Sequence, residues 1–142
     1  MRKKKYKLEE FVATEFSEQV HVVQWARLHE NREPRLKLLN ASLAGVRLPI
    51  GVAKKCKAAG MKAGYPDLFL PVWRLVGTAA AGLTTYGGLY IELKRLKGGV
   101  ISKDQTWWID QLERQGYCVR VAKGAREAIA DIKWYLNFDD GT

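Results

Sequence analysis

The stretch Gly64-Tyr-Pro-Asp-Leu-Phe-Leu-Pro-Val-Trp73, together with Gly88-Leu-Tyr-Ile-Glu-Leu-Lys94, decides the fold of this sequence. Both stretches have the apolar density of buried strands, and the second contains two charged side chains. Gly64 lets the chain turn before the first strand, and Pro66 stiffens the segment that leads into it. We therefore expect residues 67–73 and 88–94 to be neighbouring strands of one sheet.

Helical spacing and helix-end signals predict four helices around these strands. The first has its N-cap at Thr14 or Ser17 and continues to about residue 30. We expect a short strand over residues 36–39, a loop over 40–51, and an exposed hairpin tip or flexible loop over 76–87. The remaining predicted elements are a helix over 52–59, a helix from Ser102 to the stop at Gly116, a strand over 117–121 and a helix over 125–136. This order predicts an α/β fold with a mixed central sheet flanked by helices.

Size and composition suit one compact domain, because 47% of the 142 residues are hydrophobic and can fill a core. We expect a flexible basic arm over residues 1–13, a folded domain over 14–138 and a tail over 139–142. No apolar run approaches the roughly 20 residues that cross a bilayer, so we expect a soluble, cytoplasmic protein without a membrane partner. Cys56 and Cys118 lack the spacing of a zinc site or a disulfide framework, so we expect both to be buried as small apolar side chains.

The charge balance makes nucleic acid the first partner to consider. Lysine and arginine number 24 against 15 acidic residues, which gives a formal net charge of +9. A charge of this size creates a positive field that attracts polyanions. The alternative is that the excess lysine only keeps the protein soluble, and the charge alone does not decide between the two.

Asp67, Glu92 and Lys94 are the residues whose pattern points to chemistry. Because side chains alternate along a strand, Glu92 and Lys94 lie on the same face of the sheet. If the two strands pair, the Asp67 carboxylate converges on Glu92, and two converging carboxylates repel each other unless a cation joins them. Hard oxygen ligands favour Mg²⁺ or Mn²⁺ over zinc. The alternative is an ordinary Glu/Lys pair on a solvated sheet face.

These residues resemble the motif of the PD-(D/E)XK nucleases, whose Pro-Asp, spacer and Glu-x-Lys appear here as Pro66-Asp67 and Glu92-Leu-Lys94. More narrowly, the chain resembles the stand-alone phage and bacterial members of the VRR-NUC (virus-type replication and repair nuclease) group. The matching segments lie between roughly residues 16 and 136 and are residues 17–27, 57–72, 89–95 and 98–105, with Trp108 and Gln115-Gly-Tyr117. The resemblance implies a restriction-endonuclease-like core. Residues 40–45 and the long segment 76–87 depart from the family pattern.

The resemblance also implies a site: a Mg²⁺ (or Mn²⁺) ion held by Glu18, Asp67, Glu92 and the backbone carbonyl of Leu93. Lys94 is implied as the catalytic base or water-orienting residue, and Gln105 as a residue that supports the site. Each has an alternative role. Glu18 suits the positive end of its helix dipole. Gln105 stands three residues after Ser102, in the spacing of a capping box.

Two sets of basic residues bracket the predicted site and are expected to contact DNA phosphates. Recognition would then depend on the shape of the DNA rather than on its base sequence. They are Lys54, Lys55, Lys57 and Lys62 on one side, and Arg95, Lys97 and Lys103 on the other. Trp73, Trp107 and Tyr86 are candidates for base stacking, for a dimer interface or for the core.

The activity that the resemblance implies is DNA endonuclease cleavage by a homodimer, on branched DNA such as four-way (Holliday) junctions, because a two-fold axis relates two sites. Cleavage of a flap or a simple duplex is one alternative. Another is a noncatalytic DNA-binding accessory of replication or packaging on the same scaffold. Hydrolysis of small phosphate esters would leave the lysine clusters unused.

Overall fold

The computed structural model describes residues 14–142; the predicted basic arm, residues 1–13, lies outside the described residues. Four α-helices, one 3-10 helix and six strands follow one another along these residues. In chain order they are α1 (Glu15–His29), the 3-10 helix (Pro34–Leu38), β1 (Asn40–Ala41), α2 (Ile50–Ala58), β2 (Leu68–Leu70), β3 (Arg74–Thr78), β4 (Gly82–Tyr86), β5 (Leu89–Lys94), α3 (Lys103–Arg114), β6 (Cys118–Lys123) and α4 (Gly124–Leu136). Within residues 14–142, no helix is both long and apolar enough to cross a membrane.

The central sheet has four strands in the order β1-β2-β5-β6. β2 pairs with β5 in the antiparallel direction, with Leu68 opposite Ile91, whereas β5 and β6 run parallel. The predicted neighbourhood of the two apolar strands is therefore confirmed. So is the predicted fold class, because a mixed sheet flanked by helices is what the structure contains.

The sheet has one aliphatic face and one face that carries aromatic and charged side chains. Leu89, Ile91 and Leu93 of β5 point into the main core, where α1 and α4 cover the sheet. The alternate residues Tyr90, Glu92 and Lys94 must point to the opposite face. All six residues of β5 are buried, so two charged groups lie inside the protein on that second face.

Two predicted strands are wrong in part. Residues 36–39 belong mainly to a 3-10 helix, in which Pro34 stands at the first turn and the Glu33 carboxylate accepts from the Arg35 amide. The neighbouring strand is the two-residue β1, which falls in the segment predicted as a loop. The strand predicted over 67–73 spans only Leu68–Leu70. Pro71 ends it, because proline has no amide hydrogen for the ladder.

Residues 76–87 contain most of a β-hairpin, one of the two predicted alternatives. β3 and β4 pair in the antiparallel direction, and the Ala81 amide donates to Thr78 Oγ1 in the turn. A Cβ at Gly77 would lie 2.2 Å from the carbonyl oxygen of Gly82, so this position requires glycine. The hairpin forms a two-stranded sheet separate from the central one.

The C-terminal residues pack against α1. The Trp25 indole donates a 2.9 Å hydrogen bond to Asp140 Oδ2, and Lys133 of α4 forms an ion pair with the same carboxylate. The Arg32 guanidinium donates to the backbone oxygen of Asp140. Asp140 is buried. The residues predicted as a tail therefore take part in the fold.

Cys118 is buried in the core, as predicted, whereas Cys56 is only half-buried.

Candidate active site

Asp67 and Glu92 meet at the end of the β2–β5 ladder. Leu68 lies opposite Ile91, so the next pair outward is Asp67 and Glu92. Directly opposite residues in an antiparallel pair project to the same face. The Asp67 Oδ2 atom accepts a 2.7 Å hydrogen bond from the Leu93 backbone amide, which fixes the carboxylate beside β5. The register therefore brings the two acidic groups together.

Lys94 and Gln105 complete a network around Glu92. Lys94 Nζ lies 3.3 Å from Glu92 Oε1, and both side chains are buried. The Gln105 side chain links them: its Nε2 donates to Glu92 Oε1 over 2.5 Å, and its Oε1 accepts from Lys94 Nζ over 2.8 Å. One amide thus restrains both charged groups, because an amide can donate and accept at once.

Gln105 also forms the predicted capping box at the start of α3. Its backbone amide donates a 3.1 Å hydrogen bond to the Ser102 hydroxyl oxygen, and its side-chain Oε1 accepts from the Ser102 backbone amide over 2.9 Å. Gln105 therefore both caps α3 and contacts Glu92 and Lys94. Since the same oxygen serves the cap and Lys94, the start of α3 sets the position of the network.

A glycine brings α3 close to the Pro-Asp segment. Gly64 has φ +77°, and a Cβ there would lie 2.7 Å from Asp104 Cβ and 2.9 Å from the Gln105 amide nitrogen. Only a residue without a side chain permits this approach. The glycine that we expected to turn the chain before β2 therefore also places Gln105 next to Glu92.

Burial and mutual repulsion raise the pKa of both acids. Burial raises the pKa of Glu92 to about 8, with a further increase from the Asp67 charge and a partial offset from Lys94. Burial also raises the pKa of Asp67, and the hydrogen bond from the Leu93 amide offsets part of this. Two carboxyl groups in one low-dielectric site disfavour double ionisation. A cation would remove this conflict.

The remaining carboxylate oxygens suit a hard divalent cation. Asp67 Oδ1 and Glu92 Oε2 accept no hydrogen bond from an N–H or hydroxyl group of residues 14–142. Neither oxygen is a fully buried atom without a hydrogen-bond partner. Among the same residues, no group of three or more His, Cys, Asp or Glu side chains is close enough to hold an ion alone. Mg²⁺ suits such a site, because it is commonly held by one or two carboxylates together with water and substrate phosphate.

The first helix presents Glu15, rather than Glu18, to this cluster. Glu15 lines the same cavity as Asp67, and its charge raises the pKa of both Asp67 and Glu92. Glu18 lies one turn further along α1, where its Oε2 accepts a 2.5 Å hydrogen bond from the Ala125 amide at the start of α4. The sequence interpretation missed Glu15, although the two glutamates stand three residues apart on the same side of a helix.

A groove of about 670 Å³ opens beside Asp67. Its walls include Glu15 and Gln19 of α1, the loop around Gly45, and two arginines, Arg47 and Arg95. The guanidinium groups can donate to phosphate oxygens in a bidentate manner. Arg95 was among the predicted DNA-binding residues. Arg47 was not, because an isolated basic residue in a predicted loop carries no pattern.

The other predicted DNA-binding residues are exposed but are not among the residues that line this groove. Lys54, Lys55 and Lys57 are exposed on α2, and Lys97 and Lys103 are exposed near the start of α3. Lys62 lines a second cavity, whose walls also include Ser42 and Ala44. The structure therefore brings one residue from each predicted basic set to a cavity.

Comparisons with known proteins identify the family of the domain. The family model of the VRR-NUC domain matches residues 3–126. A solved structure described as a VRR-NUC domain protein is 29% identical and superposes with a TM-score of 0.67, covering 91% of this chain and 93% of that one. No curated protein matches the chain significantly.

Proposed function

Since this chain belongs to the VRR-NUC family of nuclease domains, we propose that it is a Mg²⁺- or Mn²⁺-dependent endonuclease that hydrolyses phosphodiester bonds of branched DNA. Nuclease function and DNA as the substrate follow from the family; the ion and the DNA shape are the proposal. The observation that carries the proposal is the buried Glu92 carboxyl beside the half-buried Asp67 carboxyl, with the Lys94 ammonium 3.3 Å from Glu92. This combination of groups is what metal-assisted phosphodiester cleavage requires.

We propose that Asp67, Glu92 and the Leu93 carbonyl hold the ion. When bound, the ion polarises a phosphoryl oxygen and lowers the pKa of a water molecule. The free oxygens Asp67 Oδ1 and Glu92 Oε2 support this assignment, as does the orientation of Asp67 by the Leu93 amide. For the third carboxylate, the groove favours Glu15, because it shares the lining with Asp67. The sequence resemblance favours Glu18.

Lys94 acts on the attacking water and on the phosphate. Its ammonium is held at two points, by Glu92 and by Gln105, so it keeps one position without substrate. From there it orients or helps to deprotonate the water and offsets negative charge that develops on the phosphate. Gln105 acts through Lys94 and Glu92 and is a positioning residue.

The DNA backbone follows the groove beside Asp67. Arg47 and Arg95 line this groove and donate to phosphates on either side of the cleaved bond. The exposed lysines Lys54, Lys55 and Lys57 extend the positive surface along α2. Lys62 lies beyond the C-terminal end of α2, Lys97 lies before α3, and Lys103 is the first residue of α3. Contacts of this kind fix the position of the DNA and read its shape rather than its sequence.

We further propose that the active form is a homodimer that cuts four-way junctions. A two-fold axis would place two sites on symmetric strands. The β3–β4 hairpin supports a self-association surface, because Trp73, Leu75 and Leu83 are exposed there. Leu83→Glu should shift the protein from dimer to monomer in sedimentation, whereas Thr84→Glu on the same strand serves as the control.

A cleavage assay tests the proposed function directly. Labelled four-way junction, flap and duplex are incubated with the protein in Mg²⁺, alongside Glu92→Ala and Lys94→Ala. Cleavage of the junction that both substitutions abolish supports the proposal. Equal binding by all three proteins without any cleavage would favour the noncatalytic DNA-binding accessory instead.

A further inference from the structure

A second cavity, which we call the aromatic cavity, lies next to the candidate active site. It has a volume of about 530 Å³, and its walls include Ala44, Cys56, Met61, Lys62, Tyr65 and Trp108. The rings of Tyr65 and Trp108 stand edge to face, with their centroids 5.0 Å apart. This volume lies within the range of small-molecule sites.

Three connections place the aromatic cavity beside the acidic cluster. Tyr65 is two residues from Asp67, so the backbone between them spans at most about 7 Å. Ser42 lines the cavity, and its amide donates a 3.0 Å hydrogen bond to the Asp67 carbonyl oxygen. Trp108 lies on α3 one turn after Gln105. A ligand here would therefore be a near neighbour of the cleaved bond.

The polar atoms of the two rings are not available to a ligand. The Trp108 indole N–H donates to the Ala63 carbonyl oxygen over 3.0 Å, and the Tyr65 hydroxyl hydrogen-bonds to the Tyr90 hydroxyl over 2.7 Å. The indole N–H and the hydroxyl thus already have hydrogen-bond partners within the protein. What remains is stacking, which every nucleobase can provide regardless of its identity.

The charge around the aromatic cavity suits a nucleotide. Lys62 lies at the wall, and none of the described residues that line the cavity is acidic. Lys54, Lys55 and Lys57 are exposed on α2, the helix that contributes Cys56. The apolar, aromatic interior suits a nucleobase, which can stack on the rings. The lysines around it suit the phosphate of the same nucleotide, because they can pair with its negative charge.

We propose that the aromatic cavity receives one unstacked base of the DNA substrate, immediately next to the cleaved phosphodiester bond. This inference rests on the proposed nuclease function and adds a substrate feature to it. A branch point or bulge supplies an unpaired base at low cost, whereas a continuous duplex must first break its stacking. Binding would then favour DNA with an unpaired base, with little preference for which base it is.

The half-buried Cys56 thiol reports directly on this cavity. The Lys94→Ala chain is saturated with one of three duplexes, which contain one extrahelical base, an abasic residue at the same position, or full pairing. The rate of Cys56 alkylation by iodoacetamide is followed by mass spectrometry. Cys118 is the internal control, because it is buried and burial raises its pKa to about 11.

We expect the extrahelical base to slow Cys56 alkylation at least about fivefold relative to the abasic duplex, because the thiol reacts only when the base has left. Equal alkylation rates on these two duplexes at saturation would overturn the inference. Ala59→Leu, which narrows the cavity, should reduce the affinity for the extrahelical-base duplex to that for the abasic one. Ala58→Leu, outside the lining, is the matched control.

Cleavage by the unmodified chain in Mg²⁺ distinguishes failure of the base-binding inference from failure of the proposed nuclease function. If that chain cuts branched DNA while Cys56 is not protected, the base-binding inference fails and the nuclease function stands. If it neither binds nor cuts DNA, the proposed function fails and the inference fails with it.

Discussion

The Leu93 backbone amide donates a 2.7 Å hydrogen bond to Asp67 Oδ2 and so ties the start of β2 to the end of β5. One oxygen of the carboxylate is used for orientation, and the other is left for a ligand. The acid is therefore held in position before any cation arrives, which reduces the ordering that binding would otherwise require.

Gln105→Ala should separate catalysis from helix capping when it is compared with Ser102→Ala. Both substitutions break the capping box and should lower the free energy of unfolding by about 1 kcal/mol. Only Gln105→Ala also releases Glu92 and Lys94, so only this variant should lose DNA cleavage, by at least about tenfold. Chemical denaturation and initial cleavage rates measure the two effects. Equal cleavage by both variants would mean that Gln105 serves only as a cap.

Glu15 and Glu18 should differ in what they contribute. Glu15→Ala should weaken Mn²⁺ binding at least about tenfold while it changes the free energy of unfolding by less than about 0.5 kcal/mol. Glu18→Ala should lower the free energy of unfolding by about 1–2 kcal/mol, because the Ala125 amide loses its carboxylate acceptor. Calorimetric metal titration and denaturation measure these quantities. The reverse pattern would restore Glu18 as the metal ligand.

The acidic cluster should make the metal-free protein less stable as the pH rises. The folded-state pKa of Glu92, about 8, lies above the ordinary value of 4.5. The folded state therefore binds this proton more tightly, and its contribution to stability is complete below about pH 4.5 and is lost as the pH rises through about 8.

Glu92→Gln removes this dependence. In EDTA at about pH 9, the variant should be more stable than the unmodified protein by about 1–3 kcal/mol, and the difference should vanish near about pH 4. Thermal or urea unfolding across this range measures it. A difference in stability that stays constant at every pH would show that folding does not raise the pKa of Glu92.

Gly64→Ala should separate α3 from the Pro-Asp segment. The new Cβ would meet the Asp104 side chain and the Gln105 backbone, in addition to the strain of φ +77°. We expect a loss of more than about 2 kcal/mol in the free energy of unfolding, together with slower cleavage. Gly60→Ala is the matched control: φ there is +110°, but no atom lies within 4 Å of the added Cβ. Similar losses for both would mean that the close approach is unimportant.

The strand pair at the centre of the fold was predictable because each strand is an apolar run of its own. Once Asp67 and Glu92 stood at the ends of neighbouring antiparallel strands, their convergence followed from the pleat. The segment 36–39 misled because three leucines in four residues suit a strand, whereas Pro34 and the Glu33 cap favour a 3-10 turn.

Other features depend on tertiary packing and leave little local signal. Helical spacing places Glu15 and Glu18 on the same side of α1, but the rotation of α1 against the sheet decides which one faces Asp67. Arg47 lies in the loop between β1 and α2, and only the folded chain places it at the groove. The aromatic cavity draws Ala44, Cys56 and Trp108 from separate segments, so their proximity exists only in the folded chain.

Calorimetric titration of Mn²⁺ into the unmodified protein and into Asp67→Asn tests the central claim most directly. The asparagine Oδ1 can still accept from the Leu93 amide, so the substitution removes the charge and keeps the orienting bond. We expect the affinity for Mn²⁺ to fall at least about 100-fold and Mg²⁺-dependent DNA cleavage to fall with it. An Asp67→Asn protein that binds Mn²⁺ and cleaves DNA as the unmodified protein does would contradict a cation shared by Asp67 and Glu92.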